Sequence, residues 1–201
     1  MTKGLRFVEN ISSLSKSEFE TLTKDLNSPF INYDFLSSLE LSKCVTSLTG
    51  WQPNHLISNE NNKLNGFMPL YLKDNSQGEF VFDHSWSYAL NRAGRKYYPK
   101  LLSAIPFTPC ESEKIIGNKL NNLFIKEVIE FMNLNKIETW HILFPDKNLK
   151  GDLRENNFIE RNGYKFVWKN KGYDTFEDYL NIFKSRQRKN IRTERRKISE
   201  L

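Results

Sequence analysis

Apolar residues recur at helical spacing most clearly over residues 118–136, where Leu120, Leu123, Phe124, Val128, Phe131 and Met132 share one face. A second helix is expected after Ser28 and Pro29, read as N-cap and first helical residue, with Phe35, Leu36 and Leu39 as its apolar stripe. Two strand-like runs, 50–58 and 63–73, flank Asn59-Glu60-Asn61-Asn62, whose turn chemistry predicts a hairpin. EFVFDHSW (79–86) reads as a further strand and 87–95 as a short helix closed by Gly94. Residues 101–109 read as a strand running into a stiff loop, 139–145 as a short buried strand and 148–157 as a short helix. Residues 158–170 predict a bent strand or hairpin around Asn162-Gly163. Asp174 and Glu177 resemble a capping box that opens a long terminal helix with a thin stripe of Leu180, Phe183, Ile191, Ile198 and Leu201. Strands alternating with helices predict a mixed α/β (α+β) domain. The expected division is a domain over 1–174 and a basic helix over 175–201. The stripe is still running at Leu201, so that helix is expected to lead to a second domain beyond this chain.

Composition narrows the class. Of 201 residues, 38% are hydrophobic and 27% charged, which excludes a disordered chain and allows a core built without disulfides or metals. The apolar runs are short, so no transmembrane segment is expected, and MTKGLRFVENIS lacks the apolar centre of a signal peptide. A cytoplasmic protein is the resulting expectation. Cys44 and Cys110 form no CxxC pair and read as semi-buried thiols, and three histidines give no metal-ligand spacing, so no metal is expected. The net charge of +6 is localised: residues 1–183 hold 22 Lys+Arg and 22 Asp+Glu, whereas the last 18 residues hold eight and two. Only the terminal segment therefore has the composition of a polyanion binder.

Several long, ordered blocks stand out: SPF (28–30), GWQPNHL (50–56), PLYLK (69–73), GEFVFDHSW (78–86), GRKYYPKL (94–101), IPFTP (105–109), HILFP (141–145), RNGYKFVWKNKGYDTFEDYL (161–180) and SRQRKNIRTERRK (185–197). Together they resemble the FemAB-like family of peptidoglycan biosynthesis or recognition within the GNAT acyltransferase superfamily, over nearly the whole chain. The resemblance implies a GNAT-like mixed, largely antiparallel sheet flanked by helices. It also implies acyl or aminoacyl transfer to an amine acceptor, with a peptidoglycan precursor or another small molecule as substrate. Fem-type enzymes carry two GNAT-like domains and use aminoacyl-tRNA, so the donor is expected to be aminoacyl-tRNA or an acyl-CoA, and tRNA a partner. The chain departs from acetyl-CoA-dependent GNAT enzymes in lacking a Q/R-x-x-G-x-G/A loop; Arg92-Ala93-Gly94-Arg95 has neither the spacing nor the second glycine.

Candidate chemistry falls in four places. Asp83 and His84 offer a general base with a carboxylate beside it, although sequence neighbours on a strand point to opposite faces. Arg95, Lys96, Tyr97, Tyr98 and Lys100 combine cations with aromatic rings, a set suited to a phosphate or carboxylate beside a stacked ring. Thr108 sits in a loop stiffened by Pro106 and Pro109. In the tail, Arg188, Arg192, Arg195 and Arg196 recur at helical spacing. Arg188 and Arg192 are the substrate-binding candidates there, and a solvated linker helix is the plain alternative. His141 and the four tryptophans read as core residues. Besides the transferase, the sequence allows a non-catalytic recognition domain that binds an anionic glycan precursor or RNA through the basic helix.

Overall fold

A computed structural model describes residues 4–26, 28–164 and 166–200. The chain begins with strand β1 (Leu5–Val8), helices α1 (Lys16–Thr23) and α2 (Tyr33–Leu41), and strands β2 (Gln52–Pro53), β3 (His55–Glu60), β4 (Lys63–Met68) and β5 (Tyr71–Lys73). It continues through α3 (His84–Arg92), β6 (Lys100–Ser103), α4 (Asn121–Asn135), β7 (Trp140–Ile142) and α5 (Lys147–Glu155), and ends in α6 (Phe176–Asn181) and α7 (Ser185–Ser199). Two compact units are distinguished, residues 1–160 and 161–201, so the boundary expected at 174 lies inside the second.

The β3–β4 hairpin organises the first unit. Asn61 and Asn62 take φ of 51° and 60°, the left-handed pair that a two-residue hairpin turn requires and that asparagine tolerates. One extra residue on β4, Asn65, shifts the register between Ser58↔Gly66 and Asn59↔Leu64. Gly66 beside it lets α4 close onto the sheet: a Cβ there would meet the Leu120 side chain at 2.3 Å.

The hairpin's two arms serve two sheets, ordered β1-β3-β4 and β2-β5-β6-β7; every pairing is antiparallel except the parallel β6–β7. At the division Asn54 N–H still donates to the Leu70 carbonyl at 2.8 Å. The Leu70 N–H has no ladder acceptor and donates instead to Nδ1 of the fully buried His55 at 3.2 Å. Nε2 of His55 then carries the proton and meets Glu40 Oε1 at 2.9 Å, while Glu40 Oε2 accepts the Ile11 N–H at 2.8 Å. His55 thus satisfies the backbone where the sheets part.

Both sheets bury one face under α4 and α5, where Leu56, Met68, Leu70 and Leu101 meet Phe124, Ile125, Val128, Leu149 and Leu153. The other face of the first sheet packs Ile57 and Phe67 against Phe19 of α1 and Leu36 of α2. The architecture is the expected mixed α/β one, with largely antiparallel sheets flanked by helices. The expected helix over 118–136 is α4, ended by Lys136 in a left-handed conformation.

Some local expectations change. The helix after Ser28-Pro29 starts later, because Asn32 is its cap and accepts from the Asp34 and Phe35 N–H groups. Residues 79–83 join no sheet; they alternate inward and outward, but Glu79 and Asp83 go in while Phe80 and Phe82 go out. Buried lysines draw the carboxylates inward, and the helix begins at His84 instead of 87. Residues 158–164 and 166–170 form no strand. Cys44 is exposed, and Trp86 and Trp168 are exposed where core positions were expected.

In the second unit the capping box is Thr175–Asp178, and the helix it opens stops at Asn181. A separate helix, α7, follows with 15 residues. Arg188 donates to Asn181 Oδ1 at 3.2 Å, Arg192 pairs with Glu177, and the Arg195 guanidinium lies 4.1 Å from the Phe176 ring centre. These three arginines, at i, i+4 and i+7, form the face of α7 turned to α6. Around α6 the rings of Trp168, Tyr173, Phe176 and Phe183 gather about Tyr179.

Candidate functional site

The second sheet carries charge on the face opposite α4 and α5. Its register sets Lys73 across from Lys100 and Leu102 across from His141. Alternation along β6 therefore brings Lys73, Lys100 and His141 to one side. Lys73 and Lys100 are both fully buried. A buried ammonium costs several kcal/mol unless its donors are satisfied, roughly the desolvation penalty of one ion. Lys100 Nζ uses all three donors, to Asp83 Oδ2 at 2.5 Å, Ser76 Oγ at 2.8 Å and Glu79 Oε2 at 2.9 Å. Lys73 donates to the Gln77 carbonyl at 3.1 Å and sits 3.8 Å from the Trp51 ring centre. Burial lowers Lys73 to about 8; Glu79 opposes this and Lys100 adds to it.

The partners of Lys100 form a chain toward the surface. Tyr97 OH donates to Asp83 Oδ2 at 2.6 Å and stands 3.2 Å from His141 Nε2. Ser76 Oγ donates to the same Asp83 oxygen at 2.7 Å and lies 2.7 Å from Tyr98 OH. Because Tyr97 spends its proton on Asp83, its oxygen is left to accept from His141 Nε2–H. Burial alone would raise Asp83, but hydrogen bonds from Lys100, Tyr97 and Ser76 overcome it and hold the carboxyl at about 2. Glu79 goes the other way: burial pushes it up, and Lys100 offsets only part of that. Tyr97 is raised above its ordinary range by burial and by its bond to Asp83. Glu79 Oε1 and Asp83 Oδ1 are buried without a hydrogen-bond partner among the described residues.

Of the residues singled out from sequence, Asp83, Tyr97, Tyr98 and Lys100 come together here. His84 does not: it is exposed in the first turn of α3, outside the cluster. Arg95 is exposed and pairs with Glu138, and Lys96 is exposed beside it. Thr108 turns its hydroxyl back to the Pro106 carbonyl at 2.9 Å. Arg188 and Arg192 join α7 to α6. Lys73, Ser76 and Glu79 were not singled out, and His141, expected in the core, is half-buried at the edge of the cluster. The signal for His141, as for Lys73 and Lys100, was a polar residue interrupting an apolar strand.

Glu79, Asp83 and His141 each bring a metal-type ligand atom within 4.8 Å of the others. The Lys100 ammonium already bridges the two carboxylates, and Lys73 is a second cation nearby, so this donor set disfavours a divalent ion. The arrangement fits proton handling better: a half-buried imidazole is oriented through a tyrosine by a carboxylate held ionised.

No curated protein matches the chain in sequence. Among solved structures, the apo aminoglycoside antibiotic 6'-N-acetyltransferase AAC(6')-IG from Acinetobacter haemolyticus is similar over 85% of this chain and 99% of that one. The identity is 11% and the TM-score 0.39. The FemAB-like family, described as peptidoglycan biosynthesis/recognition, matches residues 10–201. A match over so much of the chain settles the relationship: the protein belongs to the FemAB-like family.

Proposed function

We propose that this chain is an acyl- or aminoacyl-transferase domain that acylates an amine on a peptidoglycan precursor, with His141 as the proton acceptor. Family membership supports the peptidoglycan context. The observation that carries the chemistry is the chain His141–Tyr97–Asp83–Lys100. An amine attacks an activated acyl carbon only once it has lost, or is losing, a proton, so a base must stand ready and correctly turned. His141 supplies the imidazole. Tyr97 fixes its orientation, and Asp83, kept anionic by Lys100, fixes Tyr97. Asp83 is a positioning residue in this scheme, and His84 has no part in it. Because the glycine loop is missing, acetyl-CoA is the less favoured donor, and calorimetry should detect no binding of it.

The test is acyl transfer measured with aminoacyl-tRNA and acyl-CoA donors against amine-bearing muropeptide acceptors. His141→Gln should lower kcat by about 10²- to 10⁴-fold with little change in KM. Tyr97→Phe should lower it by about tenfold, the worth of one hydrogen bond. Full kcat in a folded His141→Gln variant would remove the assignment of the base. No amine-dependent turnover with any of these donors would remove the transferase reading itself.

A further inference from the structure

Charge is divided unequally between the two compact units. Residues 161–201 contain 12 basic and five acidic residues, a net +7, whereas residues 1–160 sum to −1. The eight cations of the tail are not equivalent. Arg188, Arg192 and Arg195 are turned to α6 and engaged there. Arg186, Lys189, Arg196 and Lys197, at i, i+3, i+10 and i+11, lie on a different face of α7 and are all exposed. No interaction within the chain uses Arg186, Lys189 or Lys197 among the described residues.

The same unit exposes large apolar side chains. Phe166 and Tyr164 are fully exposed, and Val167, Trp168, Ile182 and Ile198 are each more than half exposed. Arg161, Lys169 and Lys171 flank the first four of these in sequence. Tyr164, Phe166, Val167 and Trp168 leave four large apolar side chains exposed within one short stretch of chain, a concentration that marks an interaction surface. Aromatic and aliphatic side chains mixed with Lys and Arg match the boundary of a bilayer, where rings and alkyl groups enter the acyl region and cations meet lipid phosphates. An RNA would use the cations and the rings, but exposed Val167 beside Phe166 gives nothing to a phosphate or a base. No helix among the described residues is long and apolar enough to cross a membrane, so contact of this kind lies on the surface of the bilayer.

We propose that residues 161–201 form a docking surface for an anionic lipid bilayer, with Arg186, Lys189, Arg196 and Lys197 meeting the headgroups and Phe166, Val167 and Trp168 entering the interface. This surface is independent of the transfer chemistry assigned to His141.

Co-sedimentation of the 201-residue chain with vesicles tests it. The probes are phosphatidylcholine alone and phosphatidylcholine containing phosphatidylglycerol, each at low and high salt. Binding is expected only to the anionic vesicles and should be lost at high salt. Each cation near such a surface is worth roughly a fivefold change in affinity, so R186Q/K189Q/K197Q should bind about 100-fold more weakly. Phe166→Ser with Val167→Ser should weaken vesicle binding several-fold while circular dichroism stays unchanged. Tryptophan emission should shift to the blue on binding, and Trp168→Phe should abolish the shift. Failure to bind anionic vesicles would overturn the proposal. So would full affinity in the Phe166→Ser, Val167→Ser variant combined with displacement of the vesicles by a short RNA, since that pattern describes a polyanion site instead.

Discussion

Ion pairs occur in two very different settings in this protein. Around Lys100 an ammonium and two carboxylates are sealed from water. Between α6 and α7, Arg192 and Glu177 pair in the open, each more than half exposed. The pairing chemistry is the same and the dielectric is not. In water the attraction of such a pair nearly cancels against solvation and side-chain entropy, whereas in the interior each unpaired charge is costly. The buried group therefore constrains the local fold: it pulls residues 79–83 out of strand geometry and directs Asp83 and Tyr97 toward His141. The exposed pair only helps hold one short helix against another.

The strongest way to break this contrast is Lys100→Ala. It leaves Glu79 and Asp83 buried without compensation and should cost about 3–5 kcal/mol, measured by urea unfolding. Adding Glu79→Gln and Asp83→Asn to Lys100→Met should recover part of that loss, because no uncompensated charge then remains. If Lys100→Ala unfolds at the wild-type urea concentration, the cluster carries no structural weight.

The next effect is in pH. A third buried lysine, Lys114, pairs with no carboxylate among the described residues and donates instead to Ser112 O, Ser112 Oγ and Phe144 O at 2.9, 2.6 and 3.0 Å. Burial lowers it to about 8, as it does Lys73. Between about 8 and the unfolded value near 10.4 the unfolded chain binds more protons than the folded one, so stability should rise with pH across that window. The rise should be on the order of a few kcal/mol for the two lysines together, and Lys114→Met should flatten it. Asp83 has the opposite consequence at acid pH. Its folded value of about 2 lies below the unfolded value near 3.9, so its stabilising contribution is present above about 4 and is lost as pH falls toward 2. Raised Glu79 works against this, gaining stability as it is protonated. Melting temperatures recorded across both windows for wild type, Lys114→Met and Asp83→Asn separate these contributions.

Smaller again is Tyr97→Phe, which removes the proton that Asp83 Oδ2 accepts and should cost about 1–3 kcal/mol. The smallest is Arg192→Gln. Its exposed pair should be worth under about 1 kcal/mol and should vanish in high salt. A loss from Arg192→Gln equal to that from Lys100→Ala would erase the distinction between the two settings.

The legible parts of the fold were those with local causes. The helix over 121–135 follows from the spacing of Leu123, Phe124, Val128, Phe131 and Met132, and the β3–β4 hairpin from two asparagines able to adopt positive φ. The family could be recognised because its blocks are long and ordered. Residues 79–86 were misread because Phe80 and Phe82 look like an inward face, and nothing nearby in sequence shows that Glu79 and Asp83 are claimed by a lysine 21 and 17 residues away. The site was half legible for the same reason. Asp83, Tyr97, Tyr98 and Lys100 are close enough in the chain to suggest a group, but His141 lies 44 residues beyond Tyr97 and joins it only through the parallel pairing of β6 with β7. In the tail, sequence alone determined how many cations there are. Which of them are spent on α6 and which face outward depended on the break at residues 182–184, which lets α7 fold back alongside α6. Local sequence fixes helical and turn preferences because those depend on neighbouring dihedrals and spacing; long-range pairing of buried charge depends on register between distant strands, and only the tertiary structure supplies that.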